Sequence, residues 1–387
     1  MSFFRASPRF VEGPVKYMVT RLMIFQFIIL AVWQYRSFKI ARKVLGSMKK
    51  IMIDFLGQMR IGRLLFAGGK FYYNQYIPGF PSRILVRNQL LELHRIRPLK
   101  ARYNRLRILF MNITNQCPLH CKHCYEWENI NKPDPLSTEE FLQILSNFIS
   151  GGIGQVHFGG GEPLMKYRRL LKLTQFLKGK TEVWIATTGL GLSLEKAKAL
   201  KKAGLTGASI SVDHFEEKLH NEFRGDPDAF KWAMEATRNS IREGLLTGWA
   251  LCATREFLTM ENLYRYAEFA ASFGVHFIQL LEPIPVGAFQ GQDVMLDREG
   301  KVILEKFYIR YNSDRGLKDM PLVTYHGYYI RRLGCMGNGN RYIAIDTAGN
   351  VQSCPFCRND HKISALDDRA DTLLERLQKE ECLLDKF

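Results

Sequence analysis

Three cysteines lie within one short stretch of the chain, and their spacing is that of a metal site. Cys117, Cys121 and Cys124 form a C-x3-C-x2-C pattern in the sequence NQCPLHCKHCY. A four-iron cluster takes one ligand per iron, so three thiolates would leave one iron open for chemistry. The alternatives are a zinc site that lacks one ligand and a chance run of buried thiols. Because zinc sites usually pair C-x2-C with a second such pair, the triad favours the cluster.

A glycine-rich segment, FGGGEPL at 158–164, is the second motif. Glycines let a backbone approach a ligand closely, and the carboxylate of Glu162 is able to accept hydrogen bonds from an ammonium group. Gly-Gly before Glu-Pro also makes an ordinary turn, so this segment alone is a weak signal. In this order along the chain, the two motifs together are strong evidence for a site that combines a metal cluster with a bound ligand.

The two motifs resemble those of the radical S-adenosylmethionine (SAM) superfamily. That family carries C-x3-C-x-aromatic-C, and His123 takes the place usually held by Tyr or Phe. The resemblance implies that Cys117, Cys121 and Cys124 hold a 4Fe–4S cluster that passes one electron to SAM. Methionine and a 5′-deoxyadenosyl radical result, and the radical abstracts hydrogen from a substrate. The residues implied in binding the SAM methionine moiety are Gly160, Gly161, Glu162 and Pro163.

Three later positions resemble further SAM-binding signatures of the family. Thr188 belongs to Thr187-Thr188-Gly189, where relatives often carry Thr-Asn-Gly near SAM. The segment SISVD resembles a Ser-Leu-Asp signature, so Ser211 and Asp213 are candidates for contact with the SAM ribose or carboxylate. Arg255 is a candidate partner of the SAM carboxylate through its fork of donors. Ordinary surface or capping roles stay open for each of these residues.

Two signals in the same region are weaker. Arg224-Gly225 matches the end of a His-Asp-x-x-Arg-Gly segment that is common in the family. Gln279, Glu282 and Gly287 surround the sixth predicted strand and are candidates to face the adenine or the substrate.

From Arg107 the sequence alternates between predicted strands and helices. A capping box at Ser137 opens the first helix, and glycines end later ones. Six successive βα units predict right-handed crossovers and a parallel, inward-curving sheet, whose sites lie at the carboxyl ends of the strands. The cysteine triad and the glycine motif follow the first two strands. The predicted strands are 108–113, 155–158, 183–187, 208–212, 247–253 and 277–281.

A second group of cysteines lies near the C-terminus. Cys335, Cys354 and Cys357 resemble the opening of SPASM and twitch extensions, which carry auxiliary iron–sulfur clusters. A predicted hairpin over 342–352 would bring Cys335 and Cys354 together. Cys382 is a candidate fourth ligand; an open iron or a non-cysteine ligand is the alternative. A structural zinc site on these four cysteines also stays open, and the barrel context favours iron–sulfur.

Charge is distributed unevenly along the chain. Residues 1–110 contain 21 Lys and Arg but only three acidic residues, whereas the whole chain has a net charge of +17. This asymmetry predicts an anionic partner: a membrane surface, nucleic acid, or a phosphorylated or acidic substrate. Eight cysteines are too few for a disulfide scaffold in a chain of 387 residues, and their clustering indicates metal binding in a reducing compartment.

The N-terminal region combines an apolar run with a basic amphipathic segment. Residues 22–33 would span only about 18 Å as a helix, less than the hydrocarbon core of a bilayer. Residues 41–60 repeat apolar side chains at helical spacing between basic ones. We therefore expect either a helical pair packed on the barrel or a hydrophobic, basic anchor on a membrane. The aromatic segment 68–81 is expected to form a lid over the active-site mouth or a packed loop.

These observations lead to one expected organisation. The fold is α/β, a partial (β/α)6 TIM-like barrel, with a small C-terminal α+β extension and a helical N-terminal region. The expected regions are the helical anchor at 1–65, a linker or lid at 66–106, the barrel at 107–290 and the auxiliary cluster domain at 291–387.

The expected function is that of an oxidoreductase or transferase of the radical SAM type, acting on a peptide or a lipid-linked substrate. Its partners would be a flavodoxin or ferredoxin as one-electron reductant and an anionic membrane surface; nucleic acid is disfavoured. The expected location is the cytoplasm, peripheral on the inner membrane face. The alternative is a non-enzymatic, zinc-stabilised module that binds membrane or nucleic acid through its basic N-terminus.

Overall fold

The computed structural model describes residues 8–57, 59–99, 106–357 and 363–378. Its twelve described strands form two sheets. The strands are β1 Arg9–Val11, β2 Leu64–Ala67, β3 Lys70–Tyr72, β4 Ile108–Asn112, β5 Gln155–Gly159, β6 Glu182–Thr187, β7 Leu205–Ser211, β8 Leu246–Cys252, β9 Phe277–Leu281, β10 Leu322–Tyr325, β11 Tyr342–Ile345 and β12 Val351–Gln352.

The larger sheet has nine strands in the order β10-β9-β8-β7-β6-β5-β4-β11-β12. Every neighbouring pair from β10 to β11 is parallel, and only the last strand, β12, runs antiparallel. The first three strands form a separate antiparallel sheet in the order β1-β2-β3. The carboxyl ends of eight parallel strands therefore share one edge, which is where a ligand site is expected in such a sheet.

Helices cover the outer face of the large sheet. On β5, Val156 and Phe158 point into the helix-covered core and are fully buried, while His157 points to the other face and stacks on Trp184. The helices are α1 Gly13–Tyr35, α2 Phe38–Leu56, α3 Arg83–Ile96, α4 Thr138–Ser150, α5 Tyr167–Leu177, α6 Leu194–Ala203, α7 Glu217–Arg224, α8 Ala229–Arg242, α9 Met260–Ser272, α10 Arg298–Ser313, α11 His326–Leu333 and α12 Ala370–Leu377.

The six predicted strands are confirmed as β4 to β9. The capping box at Ser137 and Glu140 is present at the start of α4, and Ser193 caps α6, which ends at Gly204. The predicted hairpin is confirmed as β11 and β12. The sheet extends beyond the six expected strands, since β10 pairs with β9 at one edge and β11 pairs with β4 at the other.

The N-terminal helix is longer than the sequence indicated. Helix α1 has 23 residues and so spans about 34 Å, and by length and composition it is able to cross a membrane. The expectation that the apolar segment is too short to span was wrong. The helix starts at Gly13-Pro14, well before the apolar run, and it ends only where Arg36 adopts a left-handed conformation.

The aromatic segment after β3 lies on the inner face of the large sheet. Tyr76 stacks on His157 at 5.3 Å between ring centroids, and Gln155 donates a hydrogen bond to the carbonyl of Gln75. Gln155 is the first residue of β5, so the contact is near the amino ends of the strands. A lid over the active site would lie at the carboxyl ends of the strands. The segment instead forms its hydrogen bonds near their amino ends.

A buried arginine fastens the small sheet to the large one. The Arg63 guanidinium is fully buried and donates to three carbonyl groups, those of Tyr311, Met320 and Pro321, at 2.9 to 3.1 Å. These carbonyls precede β10, so Arg63 joins the segment before β2 to one edge of the large sheet.

Replacing Arg63 with Met should leave these three carbonyls without donors. We expect the free energy of unfolding to fall by about 2–4 kcal/mol, measured as a lower denaturant midpoint at unchanged slope. Arg168→Met, at an exposed position of α5, is the matched control and should change it by less than about 0.5 kcal/mol. Equal effects of the two substitutions would contradict the proposed fastening.

Candidate active site

The cysteine triad lies in the loop that follows β4, at the carboxyl edge of the sheet. The side chains of Cys117 and Cys121 are buried and that of Cys124 is half-buried. They share one apolar pocket, in which Leu119 is buried and Trp232 packs against the thiols. The three cysteines are therefore placed in one largely apolar part of the loop.

Burial keeps these thiols protonated in the absence of metal. It raises the pKa of Cys117 to about 12 and that of Cys124 to about 11, although the backbone N–H groups of Leu119 and Glu126 act in the opposite direction. These N–H groups point at sulfur two residues earlier in the chain. Such donors stabilise a metal-bound thiolate and help to set the potential of an iron–sulfur cluster.

The glycine motif is hydrogen-bonded directly to the cysteine loop. The N–H of Gly161 donates to the carbonyl of Thr114 at 2.8 Å, and the N–H of Glu162 donates to the carbonyl of Gln116 at 2.7 Å. A Cβ on Gly160 would lie 2.3 Å from the Thr114 oxygen, and one on Gly161 would lie 2.4 Å from the Gln116 oxygen. The glycines are therefore needed for contact between the two loops.

The carboxylate of Glu162 ties the same loop to the end of β6. It is fully buried and accepts four hydrogen bonds, from the N–H of Leu164, the hydroxyl of Thr187, and both the N–H and the hydroxyl of Thr188. Burial raises its pKa, and these four donors oppose that effect. The structure thus brings Thr188 and Glu162 into direct contact, and the expected contact of each with SAM stays a prediction. Pro163 is buried and begins a short 3-10 turn after Glu162.

A buried ion pair faces the second cysteine. The Arg224 guanidinium binds the carboxylate of Asp213 through Nε at 2.6 Å and through Nη2, and its Nη1 lies 3.7 Å from Sγ of Cys121. Burial would raise the pKa of Asp213, but the positive charge of Arg224 holds it below its usual value. The other Asp213 oxygen accepts the N–H of Cys252. The positive charge of Arg224 therefore lies beside the position that a negatively charged cluster on Cys121 would take.

His123 occupies the aromatic position of the cysteine motif as a flat, neutral ring. It stacks on Phe223 with 4.8 Å between ring centroids, and its Nδ1 is buried without a hydrogen-bond partner. Burial lowers its pKa to about 4, with Arg224 acting in the same direction. A ring in this position contributes packing, as the usual Tyr or Phe would.

Other predicted residues have different surroundings. Arg255 is half-exposed, and its guanidinium binds the Asp293 carboxylate and the Met295 carbonyl. Ser211 is half-buried at the end of β7. Glu282 accepts hydrogen bonds from Tyr325 and Arg331. Gln279 accepts one from Gln75. Gly287 packs against the cysteine loop, since a Cβ there would lie 2.2 Å from the Cys124 carbonyl oxygen.

A cavity of about 420 Å³ opens beside the ion pair, at the carboxyl ends of β7 and β8. Asp213, Cys252, Thr254 and Arg255 line it, and Phe289 contributes an aromatic wall. Its volume is within the range of small-molecule sites. The arrangement offers a ligand pocket beside the position of Cys121.

Two residues that hold the cysteine loop were not predicted from the sequence. The carboxylate of Asp134 accepts from the Thr114 hydroxyl at 3.0 Å and from the Asn115 N–H at 2.8 Å. The side-chain oxygen of Asn131 accepts the N–H of Cys117 at 3.0 Å. Both follow the triad in an irregular segment without a motif, so only the Asn and Asp preference for turns could have singled them out.

The C-terminal cysteines lie close to the triad loop. Phe356, between Cys354 and Cys357, contacts the ring of Tyr125 at 5.6 Å between centroids, and Thr347 donates a hydrogen bond to Asn115. Cys354 and Cys357 are both buried. The candidate ligand Cys382 lies outside the described residues.

Backbone N–H groups also point at sulfur in this second group of cysteines. The N–H of Gly337 points at Sγ of Cys335 at 3.3 Å, and that of Cys357 points at Sγ of Cys354 at 3.0 Å. A hydrogen bond with the Cys357 thiol and burial both raise the pKa of Cys354. The N–H of Asn338 donates to the carbonyl of Ser353, which joins the Cys335 loop to the hairpin.

The donor sets fit iron–sulfur clusters by their chemistry. Among the residues that the structure describes, no three His, Cys, Asp or Glu side chains converge on a point where they could hold one metal ion. In such a cluster each thiolate binds a different iron; zinc is bound by cysteine as well, so the donor chemistry of the C-terminal group is compatible with either metal.

Comparison with known proteins agrees with the site. Residues 111–270 match the model of the radical SAM superfamily. The AdoMet-dependent heme synthase of Oleidesulfovibrio alaskensis is 27% identical over 277 residues, which are 66% of this chain and 71% of that protein. The PqqA peptide cyclase of Granulibacter bethesdensis is 25% identical over 252 residues, covering 64% and 67%. Streptococcus suis SuiB bound to precursor peptide SuiA has the same fold, with a TM-score of 0.61, 15% identity and coverage of 82% and 75%.

Replacing Gly161 with Ala should separate the two loops, because the new Cβ would collide with the backbone of Gln116. We expect a loss of up to about four iron atoms per chain, the content of one cluster, after anaerobic reconstitution, measured by colorimetric iron analysis and visible absorption. Gly46→Ala in α2, where no heavy atom lies within 4 Å of the new Cβ, is the matched control and should keep the iron. Full iron loading of the Gly161 variant would show that the loop contact is dispensable.

Proposed function

Because the chain contains a radical SAM domain, we propose that it is an enzyme that cleaves SAM reductively and abstracts hydrogen from a substrate. A cluster on the triad and SAM, when bound, supply the electron and the radical chemistry. The observation that carries the proposal is the direct hydrogen bonding between the cysteine loop and the glycine loop at the carboxyl ends of β4 and β5. This joins the two motifs that the chemistry requires into one site.

The residues of this chain would position and shelter the reactants. The thiols of Cys117, Cys121 and Cys124 would hold the cluster, and Arg224 would offset the negative charge near Cys121. Leu119 and Trp232 exclude water from the thiols, which strengthens the electrostatic interactions there. We propose that SAM occupies the adjacent cavity, which Asp213 lines at the carboxyl ends of β7 and β8.

We propose that the C-terminal cysteines hold an auxiliary cluster of the SPASM or twitch type. Support comes from the buried Cys354 and Cys357, the backbone donors that point at sulfur, and the contact between Phe356 and Tyr125. A cluster here would lie beside the triad loop, close enough to exchange electrons with the site or to anchor a substrate. The zinc alternative on the same cysteines is tested below.

We propose a peptide as the substrate. The similarity to a peptide cyclase and the fold shared with a peptide-bound enzyme support this class. A lipid-linked substrate is the second candidate, and the apolar side chains exposed on α1 favour it. Mass spectrometry of peptides and lipids from cells with and without the gene would decide between them.

The partners and location that we propose follow from this chemistry. A flavodoxin or ferredoxin would supply the single electron, and the enzyme would work in the cytoplasm, at the inner face of the membrane. The exposed apolar helix and the basic N-terminal region support the membrane location.

Replacing Cys121 with Ala should remove one of the three iron ligands. We expect no 5′-deoxyadenosine from SAM and dithionite under anaerobic conditions, and about four fewer iron atoms per chain. Val302→Ala, at an exposed position of α10, is the control and should retain both. SAM cleavage by the Cys121 variant would contradict the proposed function.

Replacing Cys354 with Ala should remove the auxiliary cluster alone. Iron should fall by about four atoms per chain while the signal of the SAM-bound cluster in electron paramagnetic resonance is kept. The same loss in Cys382→Ala would assign the fourth ligand. If the Cys354 variant instead loses zinc at constant iron content, the second group is a structural zinc site.

A further inference from the structure

The first helix has its polar side chains toward the protein. Gln26 donates a hydrogen bond to Gln89 at 2.6 Å, and the Tyr35 hydroxyl donates to the carbonyl of Leu93 at 2.6 Å. Both partners belong to α3. Ala31, on the same side of α1, is fully buried. The same face also packs the apolar side chains of Phe27, Leu30 and Val32 against a small hydrophobic cluster that includes Leu93 of α3.

The outer face of α1 is apolar. The exposed fractions of its large hydrophobic side chains run from 41% to 61%, and Arg21 is the one charged residue among exposed positions 15–33. Nine of the seventeen exposed large hydrophobic side chains found in the described part of the chain are on this helix. They are Val15, Tyr17, Met18, Leu22, Ile24, Phe25, Ile28, Ile29 and Trp33.

This arrangement differs from that of an ordinary surface helix, because the outer face of α1 is apolar as well as the inner one. In a soluble protein the apolar stripe faces the core and the polar side faces water. Isolated exposed hydrophobic residues are normal, but a contiguous apolar face marks an interaction surface. The outer face of α1 therefore has a partner that is itself apolar.

Helix α2, packed beside α1, shows that the partner is also anionic. Residues 8–57 contain nine basic and two acidic residues. Five basic side chains of α2 are exposed, and within the described ranges none of the five forms an ion pair with a carboxylate. A second copy of the chain would bring two such basic helices near each other, which is unfavourable. The five are Lys39, Arg42, Lys43, Lys49 and Lys50.

We propose that the outer face of α1 docks on a bilayer that contains anionic lipids, with the helix lying along the membrane surface. Its apolar side chains enter the region between head groups and acyl chains, while the basic side chains of α2 contact the lipid phosphates. Although α1 is long enough to span, crossing would break its hydrogen bonds to α3 and place Thr20, Gln26 and Gln34 in hydrocarbon.

The docking surface lies on the side of the sheet opposite the cysteines. Helix α3, which carries α1, contacts loops that precede strands: Arg87 donates to the carbonyl of Lys180, and a Cβ on Gly154 would lie against Asn88. The triad is at the carboxyl ends. It follows, on the proposed function, that the mouth of the active site faces away from the bilayer and is open to a soluble peptide.

The test is co-sedimentation of the full chain with phosphatidylcholine vesicles, with or without phosphatidylglycerol. We expect binding to the anionic vesicles that weakens with salt. The double variant Phe25→Glu and Ile29→Glu should bind on the order of 100-fold more weakly. Arg42→Glu with Lys43→Glu should bind at least about tenfold more weakly, since each basic residue near the surface contributes about 1 kcal/mol.

The matched controls make the same kinds of substitution at exposed positions outside α1 and α2. Val302→Glu on α10 changes an apolar residue that is 40% exposed, and Lys218→Glu with Lys231→Glu changes exposed lysines of α7 and α8. These controls should bind as the wild type does. All variants should keep their circular dichroism spectra and cleave SAM, because docking and cleavage use different surfaces. Loss of vesicle binding with intact cleavage would thus leave the proposed function untouched.

Hydrogen exchange then distinguishes an α1 that lies along the membrane surface from one that crosses the bilayer. If α1 lies on the surface, the amides of α3, residues 83–96, keep their protection when vesicles bind. A rise in their exchange would show that α1 leaves α3 to cross the bilayer and would overturn the surface arrangement. Failure of the wild type to bind anionic vesicles, together with a dimer that Phe25→Glu dissociates, would identify a second copy as the occupant and overturn the lipid proposal.

Discussion

The active site depends on two backbone hydrogen bonds, from Gly161 to Thr114 and from Glu162 to Gln116. They hold the loop after β5 against the loop after β4, so that the glycine motif and the cysteines occupy one edge of the sheet. The contact leaves no room for a Cβ at either glycine on that side. Glu162 extends the connection to β6 through four hydrogen bonds. A motif that is typical of ligand binding therefore also has a structural role. Contact between the two loops requires its glycines whether or not a ligand binds.

The electrostatics around the thiols suits a bound group that carries negative charge. Buried thiols with raised pKa values are neutral, yet Arg224 is held next to Cys121 with its charge balanced by Asp213. A buried ion pair of this kind is a weak source of stability, because desolvation offsets much of the attraction between the charges. The ion pair matters because it holds the Arg224 cation next to Cys121. A cluster with its thiolates would gain charge compensation there from a cation that the protein already holds in place.

The N-terminal region and the cysteine site are at opposite ends of the strands of the large sheet. Polar contacts of α3 and Arg63 connect the N-terminal helices and the small sheet to the amino-terminal side, and the aromatic segment around Tyr76 fills the inner face there. The carboxyl edge is left for the cysteines and for the cavity next to Asp213. Attachment through α1 would therefore leave access to the chemistry unobstructed.

The sequence by itself determined the chemistry and the order of the elements. Local signals did this: the spacing of the cysteines, glycines that only a close approach requires, alternating apolar strands, and Ser and Gly at helix ends. Only the tertiary structure decided what each side chain contacts. It paired Arg224 with Asp213 against Cys121, bound Arg255 to Asp293, brought Asp134 under the cysteine loop, added β10 and β11 to the sheet, and turned the apolar side of α1 outward. The physical reason is that these contacts join residues far apart in the chain, and their partners are selected by the packing of the whole sheet, which no local pattern encodes.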